Sequence, residues 1–338
     1  MNCAALKKIV LSVALSGFIA VGIAGALFYD FIHRPIDPVL GTITVQIPKG
    51  RGFPEISTIL EENGLVTNKR SFYLLVRLKN AGRFIKAGEY ELSGSMTPLR
   101  LVEKLKSGSV KKYNISIPEG FTVAQAADRF AAWKLADAEM FRLRACDIDF
   151  LASMGIKAEN AEGYLFPDTY VIDKTMDESD IISFMISRFK KEISGDMLER
   201  SQELGFTVHE VITLASIIEK ESALEKEKPL ISAVFHNRLK KKMRLQSDPT
   251  VIYGMKSFTG NITKEDLRSS TPYNTYVIEG LPPGPICNPG AASINAALFP
   301  SDVDYLYFVS KNDGSHQFSS NLSSHSKAVI KYQIKRQK

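Results

Sequence analysis

Apolar residues run almost unbroken from Ile9 to Tyr29. A run of about 20 residues suits one helix across a hydrocarbon core of roughly 30 Å. Lys7 and Lys8 precede it and Asp30 follows. Basic charge on that side places residues 1–8 in the cytoplasm and everything after residue 29 outside. A cleavable signal peptide is the rival reading, since the stretch is alanine-rich. Its length favours a retained transmembrane helix over residues 9–29. Residues 30–41 carry Pro35 and Pro38 and read as an extended tether; about ten such residues span only some 35 Å.

Beyond the tether the pattern alternates between short strands and amphipathic helices. Thr42–Ile47 predicts a strand, closed by the turn residues Pro48, Lys49 and Gly50. Helical periodicity covers Pro54–Glu62 and Lys69–Lys79, with Gly64 and Asn68 punctuating the gap. A strand at Glu89–Leu92 and a helix over Thr97–Lys106 follow, with Thr97 as N-cap and Pro98 at the first helical position. Val45-Gln46-Ile47-Pro48-Lys49-Gly50 is echoed by Ile115-Ser116-Ile117-Pro118-Glu119-Gly120, so a strand–turn–helix unit is expected twice. The domain boundary falls between Gly108 and Gly120, giving domains at 42–112 and 113–338.

From Phe121 the pattern is helical: Ala124–Trp133, Ala138–Arg144, Asp180–Glu192, Thr207–Glu221 and Pro229–Lys241. After Lys242 the chain turns rich in Pro, Gly, Asn and Thr, and a long loop region inside a domain is more often functional than idle. A strand at Tyr305–Val309 and a closing helix at Asn321–Ile334 end the pattern.

Composition adds modest constraints. The 338 residues are 44% hydrophobic and 24% charged, an ordinary globular balance with room for two domains. The net charge is +6 and the pI about 9.0, which favours an anionic partner. The densest basic cluster, Lys240, Lys241, Lys242 and Arg244, lacks the interleaved aromatics of a nucleic-acid site and reads as a solvated helix end. Anionic lipid or an acidic wall polymer remain open as contacts. Cys146 and Cys287 are expected as buried, unpaired thiols, although pairing is open in an oxidising compartment. The five histidines show no metal-ligand spacing, and no phosphate-cradling glycine loop or serine-nucleophile elbow is present. Neither a metal nor a cofactor is expected.

The helix over Val208–Ser222 carries the chemistry of interest. Val211, Leu214, Ala215 and Ile218 form its apolar face, with His209, Thr213, Ser216 and Lys220 opposite. Glu221 emerges beside the apolar face at the helix end, and Glu219 on its other flank. A carboxyl group set against apolar side chains keeps its proton toward neutral pH, as a general acid must. A solvated helix end with two ordinary charges is the plain alternative.

Longer motifs then change the weighting. They include Glu162-Gly163-Tyr164-Leu165-Phe166-Pro167-Asp168-Thr169-Tyr170, Phe235-His236-Asn237-Arg238-Leu239 and Leu245-Gln246-Ser247-Asp248-Pro249-Thr250. Ser270-Thr271-Pro272-Tyr273-Asn274-Thr275-Tyr276, Gly280-Leu281-Pro282-Pro283-Gly284 and Asn288-Pro289-Gly290 follow. In this order the sequence resembles the endolytic murein transglycosylases, the MltG or YceG-like family, over nearly its whole length. The resemblance implies an α+β protein: a transmembrane helix, a small LysM-like α/β domain, and a mainly helical lysozyme-like catalytic domain with loop-rich and short β elements. It places the essential acid at Glu221, with Glu219 as the alternative or a support.

The same resemblance implies cleavage of the β-1,4 bond from N-acetylmuramic acid to N-acetylglucosamine within nascent strands. One carboxyl group would serve as acid and then base, leaving a 1,6-anhydro end. Gln246, Asp248, Thr250, Tyr253, Tyr273, Asn274, Thr275 and Tyr276 are the expected substrate-binding residues, by hydrogen bonds to sugar or packing on pyranose faces. For each the alternative is a scaffold role. Expected partners are peptidoglycan strands, the inner membrane and synthases of the elongation or division machinery, with no nucleic acid. The body would be periplasmic. A water-using muramidase and a non-catalytic wall-binding scaffold are the rival classes.

Overall fold

The computed structural model describes residues 3–222 and 224–334. Contacts divide the chain into two units, one running to Tyr113 and including Asp173–Thr175, the other comprising Asn114–Ile172 and Met176 onward.

In the first unit, helix α1 (Cys3–His33) contains one segment, Lys7–His33, long and apolar enough to cross a membrane. Its apolar side chains are largely exposed along the middle, Phe18 by 79%. The helix outlasts the expected stop at Asp30 because Phe28, Phe31 and Ile32 pack against the unit's core. It ends just before Pro35, whose ring disfavours helical backbone at the preceding residue. The tether is shortened to residues 34–41 and is not extended: Ile36 N and Asp37 N donate to Met96 O and Gly94 O, and Leu40 N turns back to Asp37 O.

Strand β1 (Thr42–Ile47) is followed by helices α2 (Phe53–Glu62) and α3 (Lys69–Leu78). Strand β2 (Gly88–Ser93) then pairs antiparallel with β1, Thr42 opposite Ser93 and Ile47 opposite Gly88. Helix α4 (Pro98–Ser107) closes the unit; Thr97 accepts from Arg100 N, and left-handed Gly108 ends the helix. Leu60, Phe72, Tyr90, Leu92 and Leu101 are buried to within 1% in its core.

In the second unit, strand β3 (Tyr113–Ile117) leads into α5 (Val123–Ala132), α6 (Ala138–Ala145) and α7 (Ile148–Ser153). Strand β4 (Asp168–Ile172) joins β3 in a two-stranded sheet. The β1 and β3 turns are built alike, with Gly50 at φ 78° and Gly120 at φ 75°. That backbone is open to glycine at little cost. Then come α8 (Glu178–Glu192), α9 (Gly195–Glu203), α10 (Val208–Glu221), α11 (Lys228–Lys240) and α12 (Asp248–Gly254). Helix α13 (Ala291–Leu298), strands β5 (Tyr307–Ser310) and β6 (His316–Ser319), and α14 (Leu322–Val329) complete the unit. β5 and β6 form an antiparallel hairpin. The closing helix widens after Val329 into a π turn over Ile330–Ile334. Helices α7, α9, α12 and α13 and strands β4 and β6 were not visible as patterns in the sequence; all have six residues or fewer of strand, or nine or fewer of helix, too short for a period to stand out.

Helix α10 is the axis of this unit. It packs against α9, α11, α12 and α13, and every residue from Val211 to Ile218 is buried. The expected division into apolar and polar faces does not hold. Thr213 and Ser216 are buried with the rest, their hydroxyls satisfied locally. Thr213 Oγ1 donates to His209 O, and Ser216 Oγ donates to Thr213 O while accepting from Ile286 N at 3.0 Å. Cys287 is buried against Ser216 O, whereas Cys146 is exposed, and both thiols are free. The expectation of a buried thiol thus fails at Cys146, which caps the exposed end of α6.

Gly163 takes φ +87°, and a Cβ there would lie 2.5 Å from Pro285 Cγ and 2.8 Å from Ile212 Cγ2. Gly163→Ala is expected to destabilise the protein by about 1–3 kcal/mol through overpacking and backbone strain, read as a lower midpoint in chemical denaturation.

Candidate active site

Helix α10 stops at Glu221 because Ser222 turns to extended backbone at φ −145°, where its hydroxyl accepts from Leu224 N. Glu219 and Glu221 leave this last turn into different surroundings. The Glu219 carboxylate meets Lys228 Nζ at 3.1 and 3.2 Å, Gly290 N at 3.0 Å and Ser293 Oγ at 2.6 Å. Lys228 is itself 2% exposed. Glu219 therefore ties α10 to α11 and to the start of α13, with no oxygen left over for other chemistry.

Glu221 meets one side-chain donor, Ser247 Oγ, at 2.5 Å. Burial is the main cause that lifts its pKa, to about 7, and the neighbouring Asp248 charge acts in the same direction; the Ser247 bond and the Arg238 charge pull it down. Ser247 occupies the N-cap position of α12 yet makes no capping bond. Its hydroxyl serves the carboxyl group instead.

Glu221 opens on a cleft of about 360 Å³. Arg238, Leu245, Gln246, Asp248 and Tyr276 form one wall, and Phe308, Val309, Ser310, His316, His325 and Gln333 line the rest. Arg238 is 7% exposed. Its Nε donates to Leu306 O and its Nη1 to Leu245 O, both at 2.7 Å, with Gln246 Oε1 at 3.4 Å. The guanidinium also lies 5.3 Å from the Tyr307 ring centre. Gln246 holds φ +51°, a conformation uncommon for a residue with a Cβ. Tyr276 donates its hydroxyl to Asp248 Oδ1 at 2.6 Å. His325 stacks on Tyr307 at 5.0 Å, and its Nδ1 has no partner among the described residues. Burial, with the Arg238 charge, holds the His325 ring below its usual pKa. His316 is locked to Glu227 through Nδ1 at 2.8 Å.

Of the residues expected to bind substrate, Gln246, Asp248 and Tyr276 line this cleft with Glu221. Thr250, Asn274 and Thr275 are fully buried and bond to the scaffold. Thr275 Oγ1 accepts from Ser247 N at 2.9 Å and lies 2.8 Å from Thr250 Oγ1, while Thr250 donates to Ser247 O. Asn274 Nδ2 spans the carbonyls of Asp266, Leu267 and Ser269. These three residues shape the loop that presents Ser247. Tyr253 and Tyr273 pack on each other at 4.8 Å, away from the cleft lining. Ser247, Arg238 and the β5–β6–α14 wall escaped the sequence reading. The serine before Asp-Pro was the available signal; the wall comes from residues 87 to 112 positions downstream of Glu221, which no local pattern connects.

A second buried carboxyl group lies outside the cleft lining. Glu162 is 4% exposed and accepts from Val123 N, Asn288 Nδ2 and Tyr253 OH. Burial pushes it up to about 8, against the downward pull of the Val123 bond. Asn288 also accepts from Leu165 N and donates to Phe121 O, so three separated motifs meet here. Among the described residues, no group of three His, Cys, Asp or Glu side chains is placed to hold a metal ion.

Residues 45–331 match the model of the YceG-like family. The endolytic murein transglycosylase of Bacillus subtilis is 34% identical over 307 residues, 86% of this chain and 85% of that protein. The protein of the same name from Streptococcus pneumoniae is 31% identical; the match covers 93% of this chain and 64% of that one. The crystal structure of a YceG-like protein from Listeria monocytogenes superposes with a TM-score of 0.59 at 37% identity, covering 86% of this chain and 99% of that chain. The chain belongs to the YceG-like family.

Two variants separate support from chemistry. Glu219→Gln leaves the buried Lys228 charge with Glu119 alone, at 3.8 Å, and a loss of about 3 kcal/mol is expected in denaturant unfolding. Glu162 ionises in the unfolded chain near the ordinary 4.5 but in the folded chain only near 8. Its contribution to stability is therefore complete below pH 4.5 and lost as pH rises toward 8. The melting temperature of Glu162→Gln should fall less over that window than that of the wild type.

Proposed function

We propose that this protein is an endolytic lytic transglycosylase that cuts the β-1,4 bond from N-acetylmuramic acid to N-acetylglucosamine within peptidoglycan strands, with Glu221 as acid and base. The observation that carries the reading is the contrast on α10: Glu219 is consumed by four bonds, while Glu221 reaches a polar cleft with a raised pKa and one donor. Membership in a family whose curated relatives are named endolytic murein transglycosylase supports the chemistry.

In the first step protonated Glu221 gives its proton to the glycosidic oxygen as the C1–O bond breaks and positive charge builds on the muramoyl ring. In the second, the Glu221 carboxylate takes the proton from the muramoyl 6-hydroxyl, whose oxygen bonds to C1 and closes the 1,6-anhydro ring. No water is consumed and Glu221 ends protonated. Arg238 stabilises the carboxylate formed between the steps, Ser247 holds its orientation, and Gln246, Asp248 and Tyr276 offer hydrogen bonds to the sugars. Asp248 favours a second reading, a hydrolytic muramidase, because a second carboxylate in the cleft is what water activation uses.

Helix α1 acts here as a retained anchor with residues 1–8 cytoplasmic and the remainder periplasmic. Phe28, Phe31 and Ile32 pack on the core of the first unit and residues 36–40 are hydrogen-bonded to it, which keeps that unit near the membrane and the enzyme near nascent strands, whose elongation it would terminate. The strand–helix–helix–strand order of that unit supports the LysM-like reading, and the helical second unit the lysozyme-like one. Synthases of the elongation or division machinery are the partners this position favours.

Glu221→Gln should lower the yield of anhydro-muramoyl ends from purified strands by roughly 10²–10⁴-fold, measured by mass spectrometry. Full cleavage by the variant would refute the assignment and leave the scaffold reading, and products one water heavier would establish the muramidase. Because the first step needs the protonated acid, the wild-type rate should fall as pH rises through about 7.

A further inference from the structure

The basic cluster Lys240, Lys241, Lys242 and Arg244 has no part in the chemistry above. All four residues are exposed, and no described carboxylate lies within 4 Å of their charged groups. They do not belong to a generally basic surface, since residues 114–338 carry 27 Lys and Arg against 29 Asp and Glu.

The cluster's backbone is fixed. Lys241 N donates to Asn237 O at 3.1 Å, Lys242 N to Leu239 O at 3.0 Å and Met243 N to Arg238 O at 2.8 Å. Lys242 takes φ +54°, which turns the chain off the end of α11 and directly into Gln246 and Ser247. Arg244 Nη1 donates to Tyr276 O at 3.1 Å, and Arg244 O accepts from the buried Arg238. Arg238, Gln246 and Tyr276 all line the cleft. The cations do not line the cleft itself; they stand at the end of α11 as a rim joined covalently and, through Arg244, by hydrogen bonds to the wall that faces Glu221.

N-acetylglucosamine is neutral, and a strand without peptides keeps only the lactyl carboxylate of each muramoyl residue, held against the sugar itself. The further carboxylates of peptidoglycan sit on the stem peptides, which leave the muramoyl lactyl group sideways from the strand and extend past the walls of a cleft that holds the sugars. Lysines are suited to this contact: long, mobile point charges can follow a flexible carboxylate without the fixed fork geometry of a paired arginine. We propose that the Lys240–Arg244 rim binds the carboxylates of stem peptides, so that the enzyme selects peptide-bearing strands over bare glycan. The proposal rests on the transglycosylase reading of the cleft.

The test uses the full chain in lipid nanodiscs, with strands that retain their peptides and the same strands stripped by an amidase. The wild type is expected to show the lower KM on peptide-bearing strands. The triple variant Lys240→Gln, Lys241→Gln, Lys242→Gln should raise that KM about five- to tenfold with kcat unchanged and abolish the preference, and added salt should do the same to the wild type. Equal KM values of the wild type on the two strands would overturn the proposal. So would a defect of the triple variant confined to nanodiscs containing anionic lipid, which would assign the cluster to the membrane surface. Binding is measured separately with Glu221→Gln, which needs no turnover. Preferential retention of peptide-bearing strands, lost on adding the three lysine changes, supports the rim even if the wild type cleaves nothing and the catalytic reading falls. Cleavage by the wild type without any binding preference rejects the rim and leaves the catalytic reading standing.

Discussion

The ion pair between Glu219 and Lys228 is the contact on which the arrangement of the second unit depends. Both side chains are withdrawn from water, Lys228 almost completely, and neither charge is tolerable there alone. Gly290 N and Ser293 Oγ complete the carboxylate's shell, so the last turn of α10 is held by α11 and by the first turn of α13 at once. Glu221 follows two residues later on a helix end that is already immobilised. Its orientation follows from the packing of its neighbour.

The same economy appears around the cleft. Arg238 reaches across from α11 and spends its donors on backbone carbonyls of Leu245 and Leu306, which belong to the two segments forming opposite walls. A buried guanidinium satisfied in this way holds those walls at a fixed spacing and sets a positive charge near Glu221. The left-handed backbone at Gln246 has a local cost, offset by the Thr275 bonds to Gln246 N and Ser247 N. That strained turn is what brings Ser247 to the carboxyl group. Buried Thr250, Asn274 and Thr275 thus act on the site through the loop they brace.

Glu162 gathers the rest of the frame. It caps the start of α5 at Val123, receives Asn288 and Tyr253, and sits beside Gly163, whose missing Cβ leaves room for Pro285 and Ile212. His209 performs a parallel task at the other end of α10, bonded to Tyr164 OH and Pro283 O. The proline-rich loop 280–285 is thereby pinned to the N-terminal half of the central helix.

Periodicity, caps and turn residues are local properties, and they made much of the architecture legible. The apolar run of α1, the capped helix at Thr97, the repeated strand–turn–helix at Ile47 and Ile117, and two acids at the end of α10 could all be read along the chain. What separated those acids could not. Glu219 and Glu221 look alike in sequence, and their difference comes from Lys228, Ser293 and Ser247, partners contributed from 9 to 74 residues away. The burial of Thr213 and Ser216 escaped periodicity for the same reason, since a helix covered on all sides shows its surroundings only once the other helices close around it. The sequence by itself determined which segments fold and which residues are chemically able to act. Only the tertiary structure decided which of them lost their water, because desolvation is set by neighbours in space.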